Sequence, residues 1–123
     1  MDKVEILILR NLLFNEEYLR KVIPFIKADY FEDPHQKVLF EEILNFVNEY
    51  NQPTTKEVLY IEVEKRQDIT DTSFQEITKL ISYLEDVPSD YEWLLNTTET
   101  WCKDRAIYLA LIESIALADG KDE

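Results

Sequence analysis

The sequence predicts an all-α fold, a compact bundle of about six helices ending in a long C-terminal helix. Three observations predict it. Apolar residues recur at helical spacing through most of the 123 residues, and no stretch alternates with period two. Residues that cap helices stand just ahead of the apolar runs. A single Gly serves the whole chain, which disfavours the tight hairpins of a β-fold.

The first helix spans about residues 4–14, "VEILILRNLLF". Val4, Leu7, Ile8, Asn11 and Leu12 form one stripe with further apolar residues around it, as in a deeply packed helix. Asn15 followed by Glu16 and Glu17 reads as an N-cap and dipole-favoured acids, and this second helix should bend or stop near Pro24. Asp33-Pro34 is a helix start, with Asp accepting from free N–H groups and Pro at the first helical position. Val38, Leu39, Ile43, Phe46, Val47 and Tyr50 continue that helix, and Tyr30 and Phe31 are placed to fold back onto the core like a staple. After the break "NQPTT", Thr54 or Thr55 caps a helix through Arg66. Thr72 with Gln75 has capping-box spacing and opens a helix to about Asp86. Ser89 with Glu92 has the same spacing and opens the longest helix, to about Ala118. Residues 1–118 are expected to be one domain, and 119–123 a frayed end or the beginning of a linker.

Composition narrows the function. Apolar residues make up 46% and charged residues 32%, the balance of a folded globular chain. No apolar run approaches the ~20 residues that span a bilayer, and "MDKVEILILR" lacks the features of a signal peptide, so a cytoplasmic protein is expected. Cys102 is the lone cysteine and excludes an internal disulfide or a thiolate metal cage. A single Gly also excludes Gly-rich phosphate loops. The net charge is −13. Residues 1–30 are balanced, five acids against five bases, while 31–88 hold thirteen against five and 89–123 eight against three. Such a surface repels phosphate backbones and suits basic protein partners.

Candidate chemistry is sparse. Glu32-x-x-His35 matches half of a carboxylate di-metal motif, but Glu32 precedes the helix start and there is no second His. His35 is better read as a partly exposed first-turn residue. The pairs Glu16-Glu17 and Glu41-Glu42 fall on polar helix faces, and Cys102 suits a small packed side chain better than a nucleophile. No catalytic, cofactor or metal residue is expected. The last helix carries more information. Leu94, Trp101, Tyr108 and Ile115 recur every seven residues, Leu95, Cys102, Leu109 and Ala116 run beside them, and Ile112 lies between. This stripe suits helix-against-helix packing. Because the helix outreaches a small core, Leu94, Trp101, Arg105, Tyr108, Ile112 and Ile115 are candidate subunit-interface residues. Arg105 then needs a carboxylate partner, within the chain or across an interface.

Residues 7–47, "LILRNLLFNEEYLRKVIPFIKADYFEDPHQKVLFEEILNFV", resemble the opening of the N-terminal domain of DnaB-type replicative helicases. The residues carrying it are Leu12, Leu13, Asn15, Glu16, Tyr30, Phe31, His35, Leu39, Phe40 and Ile43. "SDYEWLLNTTETWCKDRAIY" resembles more narrowly the replicative helicases of T-even-type phages, with Asp104-Arg105-Ala106 in the last helix. The likeness covers about residues 4–118 in apolar patterns and no catalytic signature. It implies a core holding Leu12, Phe31, Leu39, Phe40 and Ile43. It also implies a helical hairpin over about residues 72–118 that pairs subunits into a collar above a hexameric motor, receiving primase and the helicase loader. ATP and Mg²⁺ belong in that family to a RecA-like motor domain, whose Walker residues this chain lacks. The chain is then an isolated domain or a stand-alone relative, not itself the ATPase. Two readings stand against this one: a stand-alone acidic adaptor, such as a phage inhibitor of a nucleic-acid-binding protein, and an enzyme using the Glu/His cluster.

Overall fold

The computed structural model describes residues 3–120. Among them are six α-helices, two 3-10 turns and no strand. The helices are α1 (Lys3–Phe14), α2 (Glu16–Val22), α3 (Pro34–Tyr50), α4 (Lys56–Glu64), α5 (Asp71–Tyr83) and α6 (Tyr91–Gly120). The 3-10 turns, Ile23–Phe25 and Ala28–Tyr30, lie between α2 and α3. α6 continues through Asp119 and Gly120, past the expected boundary at 118, while 121–123 of that expected tail lie outside the described residues.

α1 is hydrophobic nearly all round and sits in the middle of the bundle, with Ile8, Leu9 and Leu12 fully buried. Asn11 is tolerated inside it because its Nδ2 donates to the Leu7 carbonyl at 2.8 Å, which satisfies a buried amide that would otherwise cost stability. Leu39, Phe40 and Ile43 of α3, Leu59 and Val63 of α4, and Ile77 and Ile81 of α5 close the core around it. Each such side chain, fully removed from water, contributes roughly 1.5–3 kcal/mol.

Two caps stand where the residues placed them. Asn15 Oδ1 accepts from the Tyr18 N–H at 3.1 Å, and Asp33 Oδ1 accepts from the His35 N–H at 2.7 Å, with Pro34 at the first helical position. Of the two threonines in "NQPTT", Thr55 caps α4, accepting from the Val58 N–H at 3.2 Å, and Thr54 is buried. Two expected caps are corrected. Thr70, not Thr72, caps α5, accepting from the Ser73 N–H at 3.1 Å. Ile69 and Phe74, flanking that turn at the positions of a hydrophobic staple, are both packed on the core and set the start there. Asp90, not Ser89, caps α6, accepting from the Trp93 N–H at 2.9 Å. α5 also stops at Tyr83, short of Asp86, because Leu84 turns extended to bury its side chain.

The hairpin expected over 72–118 is not formed as a packed pair. α5 places Ile77 and Ile81 against α3 and α4, whereas the first half of α6 packs on α1, α2 and the second 3-10 turn. Arg66, just after α4, ties that side of the bundle together. It bonds Glu42 at 2.7 Å, Glu41 at 3.0 Å and Asp68 at 2.7 Å. The Glu41-Glu42 pair is therefore ion-paired, not a solvated face.

Candidate functional site

α6 is 30 residues long, and its sequence changes partners midway. In the first half Leu94, Thr98 and Trp101 point into the bundle and are buried. Thr98 is locked by two bonds. Its hydroxyl donates to the Leu94 carbonyl at 2.8 Å, so the Tyr18 hydroxyl of α2 is the donor to Thr98 Oγ1 at 2.7 Å. Trp101 meets Phe31 at a ring separation of 5.0 Å and Tyr30 edge-on at 5.9 Å, and Phe31 meets Phe40 at 5.2 Å. Such aromatic pairs add roughly 0.5–1.5 kcal/mol each beyond burial.

Arg105 marks the point where α6 leaves the bundle. Its Nε donates to the Tyr30 carbonyl and its NH1 to Glu32 at 3.2 Å. The guanidinium stacks over the Tyr108 ring at 4.9 Å. Arg105 thus finds its carboxylate within its own chain. Glu32 is paired with Arg105, and His35 Nδ1 stands 3.6 Å from Asp33. No three His, Cys, Asp or Glu among the described residues gather as a metal site. Burial pushes the Cys102 thiol up to about 11, the opposite of what an activated nucleophile requires.

Beyond Arg105 the helix has almost nothing of its own chain beside it. Tyr108 and Ile112 are each 47% exposed and Ile115 is 59% exposed. The heptad stripe therefore divides. Leu94 and Trp101, expected at a subunit interface, are in the domain's own core, at 0% and 9% exposure. The reason is Tyr30 and Phe31, which fold back over α6 and enclose Trp101. Tyr108, Ile112 and Ile115 are the exposed members. Leu12, Phe31, Leu39, Phe40 and Ile43 all lie in the core. Ile107, Leu111 and Leu117 are also exposed on the free half, and heptad counting misses them because they lie off its two rows. The signal for them is the run "AIYLALIESIALA" itself, apolar on more faces than one bundle can cover. No helix of the described residues is long and apolar enough to cross a membrane.

Among known proteins, a family model described as the DnaB-like helicase N-terminal domain matches residues 2–94. A DnaB-like replicative helicase of Enterobacteria phage T4 is 33% identical over 111 residues. That match covers 90% of this chain and 23% of the relative, so the chain spans about a quarter of the length of that curated protein.

Proposed function

This chain belongs to the DnaB-like helicase N-terminal domain family, and on that premise we propose that it is the assembly and partner-docking domain of a hexameric replicative DNA helicase. The observation that carries the reading is the free half of α6, where Tyr108, Ile112 and Ile115 stand about half exposed on a helix that has left its bundle. Apolar area held out in this way is removed from water by association. Copies pair through this half-helix and build a collar, and the acidic body, in a chain of net charge −13, receives basic proteins such as primase and a helicase loader. The same charge keeps the domain off the DNA backbone. ATP and Mg²⁺ are assigned to a motor domain, since the 123 residues contain no Gly-rich phosphate loop. Glu32 bonds Arg105, which weighs against a Glu32-His35 site.

Sedimentation velocity tests the proposal. The triple variant Tyr108→Ala/Ile112→Ala/Ile115→Ala alters exposed positions only and keeps helix-favouring residues there, so the unfolding transition of its packed body should match that of the dilute parent. The parent should sediment as a concentration-dependent oligomer and the variant as a monomer. Equal sedimentation of the two with that transition intact overturns the reading.

A further inference from the structure

A groove of about 410 Å³ runs beside the first half of α6. Val22, Tyr30, Leu95 and Cys102 line it, and Phe25 stands at its edge with 70% of its surface exposed. Its lining includes Lys21 and Lys103, in a chain where acids outnumber bases two to one. Lys103 lies 3.4 Å from Glu99, which also lines the groove, and both side chains are 70% exposed. A pair so open to water holds the ammonium weakly.

The free half of α6 is the complement of this groove. Residues 107–120 expose Ile107, Leu111, Ile115 and Leu117, carry Glu113 and Asp119, and contain no Lys or Arg. Groove and free half belong to one uninterrupted helix. Fourteen residues at about 1.5 Å each carry the free half some 21 Å onward, away from the groove of its own chain, and a straight helix cannot turn back into it.

We propose that this groove is the seat for the free half of α6 of a second copy of the chain. The inference rests on the assembly reading above and names the surface that receives the half-helix. An amphipathic helix laid in an apolar groove is a common recognition mode. Here the apolar side chains of the half-helix meet Val22, Phe25 and Leu95, and Glu113 and Asp119 approach Lys21 and Lys103. The four side chains of that face, each somewhat more than half exposed, offer roughly 400 Å² per copy, and a contact exchanged both ways doubles this toward the ~800 Å² that a standard interface takes from each partner. The giving and receiving surfaces differ, so the contact propagates around a ring when made one way and closes a pair when exchanged both ways.

The test mixes two variants of the full chain, both carrying Cys102→Ser. One bears Phe25→Cys and the other Leu117→Cys, both at exposed positions. Under mild oxidation the expected product is a 25–117 disulfide between copies, mapped by peptide mass spectrometry. In parallel, Phe25→Asp, at an exposed position, should weaken self-association at least tenfold with the unfolding transition of the dilute chain unchanged. Association that ignores Phe25→Asp and yields only 117–117 links overturns the groove and leaves the assembly reading standing. A chain that stays monomeric at hundreds of micromolar overturns both.

Discussion

The phenol of Tyr18 joins two helices 80 residues apart in sequence, donating to Thr98 at 2.7 Å from a fully buried position. Burial disfavours the phenolate and pushes its pKa well above the ordinary value of 10.0. The unfolded chain therefore releases this proton first. The stability gained from keeping Tyr18 neutral is fully present below pH 10 and is lost as pH rises from there toward the folded value. Tyr18→Phe separates this effect from the hydrogen bond. At neutral pH the variant should be about 1 kcal/mol less stable, for the lost bond to Thr98, while Thr98 keeps its bond to Leu94. Above pH 10 the variant should lose stability less steeply than the parent, so the two curves converge. Urea melts at pH 7 and at steps up to pH 11 provide the measurement, and curves that stay parallel would show that Tyr18 ionisation is not linked to folding.

Helix starts show how far the residues alone carry the fold. Asn15 and Asp33 were legible because each is followed by residues that want a helix, Glu16-Glu17 in one case and Pro34 in the other. Thr72 misled because Gln75 completes a capping box by letter, whereas the true cap, Thr70, has Ser73 at the third helical position. What decides is the burial of Ile69 and Phe74 on either side, a tertiary event that local spacing does not contain. Thr70→Ala should therefore cost about 1 kcal/mol in a thermal or urea melt and Thr72→Ala only a few tenths. The reverse order would return the cap to Thr72. The same limit applies to α6. Its apolar stripe was plain in the sequence, but the point where body gives way to free helix was not. That point is set by Tyr30, Phe31 and Glu32, some 75 residues earlier, closing over Trp101 and Arg105.

At the scale of the molecule the chain is a packed body and a projecting half-helix, and the two should differ in local stability. A segment of fourteen residues with little packing beside it is marginally helical in water, because its backbone bonds are worth little without burial. The amides of α3 around Leu39–Ile43, in the core, open only when the whole domain unfolds. Hydrogen exchange of the dilute chain should accordingly show strong protection at 39–43 and fast exchange from about residue 107 to 120. Raising the concentration should slow exchange at 107–120, as association removes Ile112 and Ile115 from water. If the groove is the seat, exchange should slow in the same step at Val22–Phe25, while 39–43 stay unchanged. The three segments therefore give separate answers. Protection growing at 107–120 and at 22–25 together supports both the assembly and its receiving surface. Growth at 107–120 alone keeps the assembly and places the contact between half-helices. Exchange at 107–120 that is independent of concentration means that the projecting half-helix meets no second copy, and the collar then has no contact in these residues to hold it.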